Sequence, residues 1–253
     1  MATVNENIRE VQDIIKMTGV IGCLTGSSMI PGEDFSKWEQ VPDVDVFVFL
    51  EPQLLVLAMT LEQVYNFKPA DKANDWKYRK LKTAGSNKKD ALSTLKMMSP
   101  NGIIANITWK KGRDNMLSVL SSFDMSIIMV GYDISHGFGL DLRTADSAGV
   151  TDGKARWSPD PRLAVPNPMR DQDCDMYGVS MWARQFDRVV KYWDRGFDTR
   201  PMARFYIREI QRVIDTGKLF NTENGERAFN EFVAEFAPMM GKMREWLADK
   251  EDI

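Results

Sequence analysis

Two carboxylates, Asp43 and Asp45, stand one residue apart at the head of an apolar, β-branched run that reads DVDVFVFL from 43 to 50. Strand side chains alternate between faces, so this spacing puts both acids on one face. Like charges this close repel unless a cation or a proton compensates. A third acid, Asp124, lies near the start of a second run of the same kind, Phe123 to Tyr132. If the two runs are neighbouring strands, three carboxylates converge at one edge of a sheet, with Asp133 or Asp141 as alternatives to Asp124. Such a set suits hard, oxygen-seeking ions, Mg²⁺ or Mn²⁺. Two such ions a few ångströms apart activate an attacking oxygen and stabilise a leaving one in phosphoryl transfer. Ahead of them the short apolar stretch Val20 to Leu24 ends in the turn Thr25-Gly26-Ser27-Ser28. There a glycine lets backbone amides approach phosphate oxygens and a serine hydroxyl adds a donor.

The composition narrows the chemistry in the same direction. Among 253 residues there are one His, His136, and two Cys, Cys23 and Cys174. Three scattered candidates do not make a His/Cys zinc site, and two cysteines do not make a disulfide framework. His136, in Ser-His-Gly-Phe-Gly, reads as a turn residue. A Ser hydrolase would have to use it, and the G-x-S-x-G elbow is absent, as is the phosphate loop G-x-x-x-x-G-K-[ST]. Apolar residues at 43% and charged residues at 27% describe a globular protein of one large domain or two smaller ones. No apolar stretch is long enough to span a bilayer, and Met1 to Met17 carries no signal pattern, so a cytoplasmic protein with reduced thiols is the expectation.

The elements that must position these residues follow from periodicity. Ile8, Val11, Ile14 and Ile15 predict a helix over 5–16, and Leu54, Leu55, Ala58, Leu61 and Val64 another over 51–66. Strands are predicted at 20–24, 43–50, 123–132 and 140–143, with a hairpin of 92–98 and 103–109 about Ser99-Pro100-Asn101-Gly102. A short helix fits 115–121. Four prolines between 151 and 173 mark a linker. Beyond it three helices are expected, over 177–195, 200–216 and 221–249, the last kinked or split at Pro238. The chain therefore divides into an α/β (α+β) domain over 1–150, a Pro-rich linker over 151–175 and a helical domain over 176–253.

The Gly-Ser turn after a strand, followed by Asp-x-Asp on the next, resembles the active-site signature of the DNA polymerase β-like nucleotidyltransferase superfamily. The matching stretch is TGSSMIPGEDFSKWEQVPDVDVFVF, and Asp124 in SSFDMSII is similar to that family's third metal carboxylate. Two features depart from the pattern: 15 residues, 28 to 42, separate Gly26-Ser27 from Asp43, and Pro42 stands where many members have Ser. In the second half, VVKYWDRGF, 189–197, resembles a Lys-Tyr-x-x-Arg-Gly-Phe element of predicted nucleotidyltransferases of tailed phages and large DNA viruses. The resemblance implies a mixed sheet flanked by helices and the transfer of an NMP from an NTP to an acceptor hydroxyl, with release of pyrophosphate. It implies that Asp43 and Asp45 hold the ions, that Asp124 completes the metal site, and that Gly26 and Ser27 grip the phosphates.

Charge distribution supports a phosphate-handling surface. The net charge is only -3, yet residues 68–90 hold eight Lys or Arg against three acids. Residues 180–218 hold nine against five, and the last 33 residues hold four against eight. Arg184, Arg188, Lys191 and Arg195 share one helix face, and Arg204, Arg208 and Arg212 share another. Lys191 and Arg195 are the expected contacts to the outer phosphates, and an RNA end or other polyanionic acceptor fits the basic segment. The alternative reading is a catalytically silent nucleotide- or RNA-binding module on the same scaffold.

Overall fold

The computed structural model describes residues 2–70, 92–123, 126–142, 177–216 and 225–251. The chain folds as two compact units. The described residues up to Phe123 and from Ile127 to 142 form the first, and those from Tyr177 to Glu251 form the second. Asp124, most of the basic 68–90 segment and the Pro-rich 151–175 stretch lie outside the described residues.

The first unit is α+β, with elements α1 (Val4–Met17), β1 (Gly22–Thr25), β2 (Val44–Val48), α2 (Glu51–Tyr65), β3 (Lys68–Pro69), β4 (Leu92–Met98), β5 (Ile104–Lys110), α3 (Met116–Leu120), β6 (Val130–Asp133) and β7 (Phe138–Asp141). The seven strands form one mixed sheet in the order β3-β4-β5-β2-β1-β6-β7. All its pairs are antiparallel except β2 with β5, which requires a crossover and receives α2 in that role.

Alternation along the strands sorts the core. Leu24, Val44, Val46, Val48, Leu95, Met97, Ala105 and Ile107 point to one face and are buried. The apolar stripes of α1 (Ile8, Val11, Ile15) and α2 (Leu54, Leu57, Ala58, Leu61) cover that face. Thr3 starts α1 with a capping box, its hydroxyl accepting from the Glu6 amide while the Glu6 carboxylate accepts from its own. On the other face α3 covers only one end. Met116, Val119 and Leu120 pack there on Cys23 and Phe49, with Phe47 and Leu140 against them. The rest of that face, carrying Asp43, Asp45 and Asn106, is half-buried and has no helix of this unit over it among the described residues.

Several expectations shift in detail. The 123–132 run is not one strand: residues 126–128 form a 3₁₀ turn, and β6 begins only at Val130. Ile127, Ile128 and Met129 are buried by packing rather than by pairing, a distinction that an apolar run alone does not carry. The first strand begins at Gly22, and the last is 138–141 rather than 140–143. The hairpin forms as the sequence predicts, with the Gly102 amide donating to the Ser99 carbonyl at 3.0 Å.

The second unit holds three helices among its described residues, α4 (Tyr177–Asp194), α5 (Arg200–Thr216) and α6 (Gly225–Glu251). Pro238 does not split α6. It removes one backbone donor, but Phe236, Met240 and Met243 on both sides of it are buried and hold the helix line. Trp193 meets Trp246 edge to face at 5.5 Å, and the buried Thr199 hydroxyl donates to the Val189 carbonyl at 2.8 Å, closing the α4–α5 corner. No described helix is long and apolar enough to cross a membrane.

Candidate active site on the open sheet face

β1 and β2 run antiparallel with Thr25 opposite Asp45. The chain leaves β1 at Gly26 and turns through a 3₁₀ segment, Ser27–Met29. Gly26 has φ 80° and ψ -164°, a combination essentially restricted to glycine. A Cβ built on it would fall onto Asp45 Oδ2, 3.1 Å from Cγ and 3.2 Å from Cβ of the same side chain. The carboxylate therefore occupies the space that the missing side chain leaves. The turn's own hydrogen bonds begin with the Met29 and Ile30 amides, so those of Ser27 and Ser28 stand outside them.

Buried anchors hold this turn from two sides. The Thr25 hydroxyl, fully buried, donates to the Val130 carbonyl at 3.0 Å. The Gln12 amide, on α1, donates to the Ser28 carbonyl at 2.9 Å.

Across the sheet, one row of paired residues runs Lys96, Asn106, Asp45, Thr25 and Gly131 on β4, β5, β2, β1 and β6. Paired residues share a face, so Asn106, and Lys96 beyond it, lie on the open side with Asp45. Asn106 Nδ2 donates to Asp45 Oδ1 at 2.9 Å and fixes the carboxylate's orientation. Lys96 Nζ lies 3.7 Å from Asp43 Oδ2, with both side chains about two-fifths exposed (45% and 38%). Asp43 immediately precedes β2 on the same face as Asp45, about 6.6 Å away along the backbone by strand geometry.

The structure thus brings Gly26, Asp43 and Asp45 together, with Ser27 next in the turn. Asp124 lies outside the described residues. The alternatives to it do not join the pair. β6 is not a neighbour of β2, because β1 lies between them. Asp133 sits opposite Cys23, beyond the Asp45 row, and its buried carboxylate accepts from the His136 amide and meets His136 Nδ1, both at 3.1 Å. Asp141 pairs with Val130, one residue out of phase with Gly131, and so lies on the opposite face. Among the described residues no three His, Cys, Asp or Glu form a metal-binding group. Lys191 and Arg195 belong to the helical unit. Lys191 is exposed at the end of α4, and the Arg195 guanidinium stands 5.1 Å over the Tyr192 ring just beyond it.

Sequence reasoning missed Lys96, Asn106 and Gln12. A signal existed for Asn106, a polar residue inside the apolar run IIANITW that shares a face with Thr108. Nothing local marks Gln12 or Lys96.

The donor set fits a hard divalent cation. Two carboxylates share one open face, and beside them Asn106 Oδ1 is a buried oxygen with no hydrogen-bond partner among the described residues. Among the described residues the soft and borderline donors are otherwise placed. Burial pushes the Cys23 thiol up, with the Asp133 charge adding to it, and His136 is turned to Asp133.

No protein-family model matches the chain, and no curated protein sequence matches it. Among solved structures it is similar to the apo form I structure of a CCA-adding enzyme, at 13% identity and a TM-score of 0.37. That match takes in 90% of this chain and 51% of the other, so the chain spans about half that enzyme's length.

Proposed function

We propose that this chain is a metal-dependent nucleotidyltransferase that moves an NMP from an NTP to an acceptor hydroxyl. The observation that carries the reading is the fit of the Asp45 carboxylate into the space left by Gly26, with Asp43 on the same open face. A tight, glycine-dependent turn lies directly against an acid pair, and these are the two parts that a triphosphate and its cations need.

Asp43 and Asp45 would hold Mg²⁺ or Mn²⁺, with Asp124 as the proposed third carboxylate. The ions, when bound, neutralise phosphate charge and lower the pKa of the acceptor hydroxyl. Asn106 keeps Asp45 from rotating away, and Gln12 and Thr25 fix the turn. Gly26 and Ser27 would receive phosphate oxygens. In the reaction the acceptor oxygen bonds to the α-phosphorus, the bridge to the β-phosphate breaks, and pyrophosphate departs with the electron pair. The acceptor's proton passes to a nearby base, a role proposed for Asp124. Lys191 and Arg195 are proposed contacts to the outer phosphates on charge alone.

The test is incubation with each α-labelled NTP, Mg²⁺ or Mn²⁺, and RNA, protein and small-molecule acceptors. Wild type is expected to transfer label, and Asp43→Asn and Asp45→Asn to abolish transfer. Equal labelling by wild type and both variants would reject the assignment.

One observation favours a second reading, a silent nucleotide- or RNA-binding module. The residue directly beside Asp45 on β5 is Asn106, an amide that brings no negative charge to the metal. Nucleotide binding that depends on Asp43 and Asp45 without any label transfer would select it.

A further inference from the structure

Lys96 reaches the acid pair from the side away from the glycine turn. The sheet order β4-β5-β2 sets its backbone two strands, about 10 Å, from that of β2. The partly exposed side chain nonetheless extends across β5 and brings Nζ to 3.7 Å from Asp43 Oδ2. A lysine held in one extended conformer gives up rotamer freedom that it would keep in water. Two carboxylates on one face repel, and a cation beside them offsets that repulsion.

The contacts to the pair divide by side. From the β5 side, Asn106 Nδ2 holds Asp45 Oδ1 at 2.9 Å and the Lys96 ammonium faces Asp43 Oδ2. On the β1 side lies Gly26, against which Asp45 Oδ2 packs. One oxygen of each carboxylate therefore already faces a nitrogen of the protein from β5. Asn106 is neutral and Lys96 carries one positive charge. A divalent ion entering on this side would have to displace the ammonium, and it would gain no carboxylate from Asn106 in return.

We propose that the acid pair takes one divalent ion, and that the Lys96 ammonium stands in for the second cation on the β5 side. The chemical role of this arrangement rests on the nucleotidyltransferase function. With the triphosphate at the Gly26–Ser27 turn, on the β1 side, an in-line attack brings the acceptor hydroxyl from the β5 side, next to Lys96. There the ammonium favours the negative charge that grows on the attacking oxygen. It neither gives nor takes a proton. The acceptor's proton passes to the base proposed at Asp124.

The test counts the Mn²⁺ ions bound by the full chain, from the electron paramagnetic resonance of the free ion, at fixed ionic strength and without nucleotide or acceptor. Ions still bound by Asp45→Asn belong to other surfaces and are subtracted. Wild type is expected to bind one Mn²⁺ at the pair. Lys96→Met is expected to bind two, because the vacated β5 side then admits a second ion. The first ion should also bind up to about fivefold more tightly in Lys96→Met, the worth of an exposed ion pair. Lys96→Arg keeps the charge and should again bind one, which separates lost charge from disturbed folding, and circular dichroism checks the fold. Two ions at the pair in wild type, or a single ion in Lys96→Met, would overturn the stand-in role and leave a metal-dependent transferase in place. No Asp45-dependent ion in wild type would overturn the proposal and the metal dependence together.

Discussion

The Asp45 carboxylate lies where the side chain of residue 26 would be, so Gly26 is the only residue type that leaves both the turn and the acid in place. The relationship is reciprocal. The turn adopts a backbone conformation essentially restricted to glycine, and the acid gains a wall on its β1 side. Asn106 then restrains the carboxylate from the β5 side.

Gly26→Ala should therefore damage the site by two routes. The new methyl displaces the Asp45 carboxylate, and the backbone strain costs about 1–3 kcal/mol. A displacement of about 1 Å at a reacting centre lowers turnover roughly 100-fold. Label transfer and urea unfolding measured side by side should show both losses. Full activity in the alanine variant would mean that the turn does not contact the reacting phosphates.

Asn106 gives a paired prediction. Asn106→Ala frees Asp45 to rotate and should weaken Mn²⁺ binding about 10- to 100-fold, the usual scale for a residue that orients a metal ligand. Asn106→Asp should tighten Mn²⁺ binding and lower stability without metal, because a third negative charge joins Asp43 and Asp45. Thermal shift with and without Mn²⁺ measures both. No Mn²⁺-dependent shift in wild type or either variant would argue against a cation at this face.

Lys96→Met removes the cation that meets Asp43. The pair is well exposed and 3.7 Å apart, so stability should change by less than about 1 kcal/mol. Mn²⁺ affinity should rise, since the ammonium and the metal compete for one carboxylate. Isothermal titration at fixed ionic strength reads the affinity, and a weaker Mn²⁺ complex would instead make Lys96 a supporting residue.

Cys23 supplies a pH dependence. Its thiol, buried opposite Phe47 on β2, is held well above its ordinary value of 9.0, first by burial and then by the Asp133 charge. The folded state therefore keeps a proton that the unfolded chain loses above that value. Stability from this residue is complete below about pH 9 and falls as pH rises beyond it, by up to about 1.4 kcal/mol per pH unit. Urea unfolding of wild type and Cys23→Ala between pH 7 and 10.5 should show the alkaline loss in wild type only. The native thiol should resist modification until the chain unfolds.

Much of the site's first layer was legible in the chain itself. The alternation in DVDVFVFL fixes Asp43 and Asp45 on one face, because a strand has a period of two whatever it pairs with. The stripe of α1 and the hairpin at 99–102 are equally local, whereas on α2 the packing buries Leu57 and leaves Val64, expected on the apolar face, exposed. The mixed sheet with flanking helices, followed by helices, was expected from the order of these patterns and their resemblance. What only the tertiary structure decided is the partnership between strands distant in sequence. Register set Asn106 beside Asp45 across 61 positions, placed β1 between β2 and β6, and put Asp141 on the wrong face for a ligand. Such pairings are selected by the burial of the whole sheet against α1, α2 and α3, a sum over many residues that no short stretch contains. In the helical unit likewise, the sequence places Arg204, Arg208 and Arg212 on one face of α5, but only the packing of α6 brings Arg244 beside them.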